Sequence, residues 1–178
     1  MRGPNYNMAA RFVVDFGDRG KVAVYSVHLP TARPVLNNGF RRTTMTALFG
    51  FSGTRLGKEK AGVEAFWRGR VDLTEALLER IENEALPVVA VGDFNMPARG
   101  RIYRRVASAL TDAHVESGSG YGFTFPGATR NPLALFGPWM RLDYLFSNDK
   151  LQPIWSEVEA KRPSQHRAVA ARFRFGDS

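Results

Sequence analysis

The chain has 178 residues, 44% of them hydrophobic and 24% charged, enough for one domain with a hydrophobic core. It contains no cysteine, which excludes disulfides and thiolate metal sites, and no apolar run of about eighteen residues, so no membrane span is expected. The formal net charge of +8 favours polyanionic partners: nucleic acid, phosphorylated metabolites or anionic lipid.

The first seven residues, Met-Arg-Gly-Pro-Asn-Tyr-Asn, lack the apolar centre of a signal peptide. Residues 10–16 then alternate, with Phe12, Val14 and Phe16 on one face. A turn with two glycines leads into a second strand at 21–28, and the pair reads as a β-hairpin. His28 stands at the end of that strand. Residues 31–57 have no steady period, apart from a helical turn near 43–49. A loop of that length inside a domain is usually functional, and a substrate lid is one expectation. Residues 58–84 are the clearest helix, because Val63, Phe66, Trp67, Leu73, Leu77 and Ile81 recur mostly at three- and four-residue spacing.

Residues 86–96, Leu-Pro-Val-Val-Ala-Val-Gly-Asp-Phe-Asn-Met, organise the rest. The β-branched run predicts a strand buried on both faces. Asp93 and Asn95 follow at its end, where α/β sheets tend to bind ligands. If the pleat continues, the two side chains share a face and could hold a hydrated divalent cation or orient a water. The same residues are also common turn formers after a strand. A short helix follows at 101–110, and Arg99, Arg101, Arg104 and Arg105 cluster around its start, placed either to touch phosphates flanking a phosphate-handling site or simply as a solvated helix face. Residues 111–138 read as loop, with glycines and aromatics interleaved at 117–127, suited either to ring stacking or to plain packing. His114 reads as structural.

A strand is predicted over 139–146, with Arg141, Asp143 and Leu145 on one face. A carboxylate within a strand needs a partner if it is buried. Further strands are predicted at 151–158 and 168–175, with Ser164-Gln165-His166 between them. There is no internal repeat or linker, so residues 1–178 read as a single domain.

Four motifs stand in order: Val-His-Leu at 27–29, Gly-Asp-Phe-Asn at 92–95, Arg-Leu-Asp-Tyr at 141–144 and Ser-Gln-His at 164–166. Together they resemble the endonuclease/exonuclease/phosphatase superfamily over nearly the whole chain. The resemblance implies a four-layer α/β sandwich of two mixed β-sheets flanked by helices, and hydrolysis of phosphoester bonds with Mg²⁺ or Mn²⁺. By motif, Asp93 would position or deprotonate the attacking water and Asn95 would orient it. His166 would stabilise the scissile phosphate, Asp143 would hold His166, and His28 would bind a phosphate oxygen. Asp93, Asn95, Gln165 and His166 are the expected metal set. Arg99, Arg101 and Arg141 are the expected substrate contacts.

The chain departs from the family pattern in two ways. Gln165 stands where the family has an aspartate, so the site has one negative charge fewer. The pattern's earlier asparagine and metal-binding glutamate have no counterpart. The expectation is a chain that begins partway into the family domain: part of a longer protein, a shortened enzyme that builds its metal site otherwise, or a chain completed by a partner such as a second copy in a homodimer. The function expected is a metal-dependent phosphodiesterase acting on nucleic acid, DNA ahead of RNA. The alternatives are a phosphatase or lipid phosphodiesterase of the same superfamily, or a catalytically weak nucleic-acid-binding module.

Overall fold

The structure, a computed structural model, describes residues 8–31, 55–128, 134, 136–161 and 163–176. The long loop expected at 31–57, its helical turn and the lid reading therefore fall almost wholly outside the described residues. So do residues 129–131.

Strands β1 (Ala9–Asp15) and β2 (Lys21–His28) form the expected antiparallel hairpin around a short 3-10 turn. Helix α1 (Arg55–Glu82) begins three residues before the expected start. It leads into β3 (Val88–Asp93), which lies parallel to β2. Helix α2 (Arg101–Ala107) follows. The stretch expected to be loop then holds β4 (Thr111–Asp112) and the short helix α3 (Ala113–Ser117). No hydrophobic period announces these elements. Asp112 starts the helix by accepting from the backbone N–H groups of His114 and Val115, at 3.0 and 3.3 Å. Strand β5 (Asp143–Ser147) pairs antiparallel with β3 and β4. Strands β6 (Leu151–Val158) and β7 (Val169–Phe175) pair with each other.

The result is a mixed α/β sandwich. A five-stranded mixed sheet, in the order β1-β2-β3-β5-β4, has a helical layer on one face and the β6–β7 sheet on the other. Strand alternation sorts the side chains. Tyr25, Val27, Val88, Ala90, Tyr144 and Phe146 point toward the helices and meet Leu77, Leu78, Ile81, Ile102 and Val106. Phe94 joins them, with ring centroids 6.0 Å from Tyr144 and 5.3 Å from Phe146, both edge-on. Such contacts contribute about 0.5–1.5 kcal/mol each beyond burial.

The other face is less covered. Val89 and Val91 are only half-buried, so β3 is not buried on both faces as expected. Among the described residues the facing sheet has two strands and cannot span five. Phe12, Val14 and Phe16 of the edge hairpin are correspondingly exposed. Glu84 anchors that hairpin to the end of α1. It accepts from Arg11 Nε at 2.6 Å and from the Tyr25 hydroxyl at 3.0 Å.

Candidate active site

Strand register builds a row of three functional side chains. His28 on β2 lies beside Asp93 on β3, and Asp93 lies beside Asp143 on β5. All three stand on the face turned away from the helices. His28 Nε2 is 4.0 Å from Asp93 Oδ2, and the imidazole is largely exposed. Gly92 allows the strands this close approach. A Cβ there would sit 2.0 Å from the Val27 carbonyl oxygen, and its φ of 142° is a conformation that only glycine adopts readily.

Asp93 and Asn95 do meet, but through a turn rather than a continued pleat. Asn95 adopts a left-handed φ of 48°. Its N–H donates to Asp93 Oδ1 at 2.8 Å. Its Nδ2 donates to Asp93 Oδ2 at 3.1 Å and to the Leu29 carbonyl at 3.0 Å. The turn-forming property of these residues and their closeness at the site are thus one and the same feature. Burial raises the Asp93 pKa above its ordinary value. The Asn95 N–H acts in the opposite direction, and the neighbouring Asp143 charge adds to the rise.

His166 reaches this row from the segment before β7. Its Nδ1 lies 2.8 Å from Asp143 Oδ2. Its ring packs against Phe125, centroid to centroid 5.0 Å. The loop that carries it is tied to residues 124–128. Gly127 N–H donates to the Gln165 carbonyl at 2.6 Å, Ala128 N–H to the Ser164 carbonyl at 2.7 Å, and Arg167 N–H to the Thr124 carbonyl at 2.8 Å. Buried Thr124 Oγ1 in turn accepts from the N–H groups of Leu142 and Asp143, at 3.1 and 3.3 Å. Thr124 and Phe125 therefore hold Asp143 and His166 together. Sequence reasoning missed both residues; the only signal was the glycine–aromatic alternation around them.

Asp93, Asp143 and His166 each offer one ligand atom, and these atoms lie within 4.8 Å of one another. Two neighbouring carboxylates, one with its pKa raised, make a charge arrangement that a divalent cation would relieve. The two carboxylates suit a hard ion such as Mg²⁺ or Mn²⁺, whereas an imidazole donor suits a softer one such as Zn²⁺. Of the expected metal set, Asp93 and His166 belong to this cluster and Asn95 is hydrogen-bonded to it. Asp143 joins it beyond expectation. Gln165 is exposed, and its backbone carbonyl serves the loop.

Among the expected substrate residues, Arg99 and Arg101 are exposed at the turn that opens α2. Arg104 donates to the Arg99 carbonyl, and Arg105 pairs with Glu75 at 2.8 Å. Arg141 is a correction. It is 5% exposed and forms a buried ion pair with Asp112, with its guanidinium 4.5 Å from the Tyr144 ring centroid. β5 begins at Asp143, so Arg141 precedes the strand and its side chain is committed to the interior. His114, which reads as structural, is buried, with Nδ1 3.5 Å from Ser156 Oγ.

The mixed α/β sandwich thus gathers acidic, amide and imidazole groups at its strand ends. The chain belongs to the Endonuclease/Exonuclease/phosphatase family, whose model matches residues 2–166. Members of this family are in general hydrolytic phosphoesterases that use a divalent metal. No curated protein sequence matches the chain. Among solved structures, it is similar to an endonuclease/exonuclease/phosphatase from Beutenbergia cavernae DSM 12333, with 17% identity, a TM-score of 0.57, and coverage of 93% of this chain and 39% of that one. It is also similar to the Bacteroides thetaiotaomicron VPI-5482 mannosyl-6-phosphatase (17% identity, TM-score 0.52, 87% and 52% covered). A third is the human Nocturnin catalytic domain with bound sulfate anion (16% identity, TM-score 0.52, 94% and 53% covered). These likenesses show the fold, and the chain spans about half the length of such structures or less. No helix among the described residues is long and apolar enough to cross a membrane.

Proposed function

We propose that the chain is a divalent-metal-dependent phosphodiesterase acting on nucleic acid, DNA ahead of RNA. The observation that carries the reading is the in-register row His28–Asp93–Asp143, completed by Asn95 and His166. Phosphoryl transfer needs a positioned nucleophile and positive charge around the phosphoryl oxygens. Asp93 takes the proton of the attacking water, and its raised pKa suits it to accept one. Asn95 fixes the Asp93 carboxylate through two hydrogen bonds and orients the water. Asp143 occupies Nδ1 of His166, which leaves Nε2 to meet a phosphoryl oxygen. His28, exposed beside Asp93, contacts a second oxygen. The Asp93 and Asp143 carboxylates of this cluster would hold Mg²⁺ or Mn²⁺, which supplies Lewis-acid charge at the phosphoryl group, while His166 faces the phosphate.

The net charge of +8 and exposed Arg99 and Arg101 support a polymeric substrate over a small monoester. The likeness to a mannosyl-6-phosphatase supports the rival reading, a sugar-phosphate phosphatase. Salt separates the two. If Arg99 and Arg101 each neutralise one phosphate, a fourfold rise in salt weakens duplex binding about tenfold. Cleavage of plasmid DNA should fall accordingly under subsaturating conditions, and hydrolysis of a small phosphomonoester should change little. Monoester turnover that outpaces DNA cleavage at every salt concentration would replace the nuclease reading with the phosphatase one.

A further inference from the structure

We propose that Arg70, on α1 and outside the reacting groups, is a positioning residue that clamps together the two chain turns carrying His28 and Asp93–Asn95; this rests on the proposed reaction at that site. Arg70 is 1% exposed, the largest side chain so fully enclosed among the described residues. Its Nη1 donates to the Pro30 carbonyl at 2.5 Å. Its Nη2 donates to the Asn95 carbonyl at 2.9 Å and to the Phe94 carbonyl at 3.3 Å. The guanidinium carbon also lies 5.4 Å from the Trp67 ring centroid and 5.9 Å from that of Phe66.

The acceptors define the role. Pro30 lies just beyond the end of β2, two residues after His28. Phe94 and Asn95 lie just beyond the end of β3, directly after Asp93. One planar cation with a rigid fork of donors joins both exits, which a point-charge ammonium or a shorter amide cannot match. The exits are also fastened by Leu29 N–H to the Asp93 carbonyl at 3.0 Å, and by Asn95 Nδ2 to the Leu29 carbonyl at 3.0 Å. Asn95 also holds a left-handed backbone, a conformation that side-chain hydrogen bonds and surrounding contacts help to keep. Arg70 grips the carbonyl of that same residue. Its loss frees the Asn95 turn, and with it the amide that sets the Asp93 carboxylate.

The test compares Arg70→Ala, Arg70→Lys and Leu77→Ala in the full chain. Leu77 is a buried residue of the same helix whose apolar side chain can form no hydrogen bond to either turn, so it reports generic destabilisation. The readouts are kcat and KM for the phosphodiester, and the backbone and side-chain amide resonances of Asn95 in ¹⁵N spectra without metal. Arg70→Ala should lower kcat about 10- to 100-fold with KM little changed, and should shift both Asn95 signals. Methylguanidinium should partly restore both, and Arg70→Lys should fall between. Leu77→Ala should lower Tm and leave the Asn95 signals in place. Should Arg70→Ala fail to fold, Arg70→Lys carries both readouts. Unshifted Asn95 signals, or a kcat loss no larger than that of Leu77→Ala, overturns the proposal. A wild-type chain without turnover would overturn the reaction instead, and the Asn95 signals would still decide whether Arg70 positions the turn.

Discussion

Gly92→Ala tests how the site is built more sharply than removal of any reacting group. The added Cβ would lie 2.0 Å from the Val27 carbonyl oxygen, so β2 and β3 must part by more than about 1 Å to reach ordinary contact. Overpacking of that kind costs about 1–3 kcal/mol. Holding alanine at a φ of 142° costs a further 1–3 kcal/mol or so. A loss on the order of 2–6 kcal/mol follows, large against the roughly 5–15 kcal/mol that stabilises a typical domain. In a chain of this length each kcal/mol moves Tm by about 2–4 °C. Tm should therefore fall on the order of 10 °C, read by circular dichroism. Asp93 is the next residue, and a displacement of about 1 Å there should lower kcat on the order of a hundredfold even well below Tm. An alanine variant with Tm within about 2 °C of wild type and undiminished turnover would refute the claim that close β2–β3 approach sets the geometry of the site.

Arg141→Met should destabilise the protein by about 3–5 kcal/mol by stranding Asp112 in the interior, while the folded fraction keeps its KM for DNA. An unchanged Tm with a raised KM would restore Arg141 to the substrate surface. Glu84 is held down to about 2, first by its hydrogen bond from Arg11, with the Leu86 N–H and the Tyr25 hydroxyl acting in the same direction. The folded pKa lies below the unfolded one, so the unfolded chain takes up the proton first. The stabilisation is present above about pH 4.5 and is lost as pH falls toward 2. Urea unfolding should show the gap between wild type and Glu84→Gln closing over that window, and a pH-independent gap would argue against the anchor. Asp143→Asn should cut kcat about 10- to 100-fold by releasing the His166 ring, with Tm nearly unchanged; a KM effect alone would mean that the pair binds substrate without positioning the imidazole.

The elements legible in the sequence were those with an unambiguous period. The hairpin, α1, β3, β6 and β7 lie where alternation or three- and four-residue spacing puts them. β4 and α3 were not legible, because a two-residue strand and a five-residue helix carry no period, and the Asp112 cap is a local event. The nearness of Asp93 and Asn95 was readable, although a turn produces it rather than a pleat. The buried role of Arg141 is not legible, because its partner Asp112 lies 29 residues away in sequence. Arg70 was invisible for a related reason. One more charged residue on an amphipathic helix looks like a solvated face until the fold brings the ends of β2 and β3 over it.

The most direct measurement is hydrolysis of plasmid DNA by the purified chain with Mg²⁺ or Mn²⁺, with and without EDTA, for wild type and Asp93→Ala. Nicking that EDTA abolishes and Asp93→Ala lowers by at least about a hundredfold is the predicted result. Nicking that survives either change would place the chemistry elsewhere, and DNA binding without cleavage by either metal would make the fold a nucleic-acid-binding module.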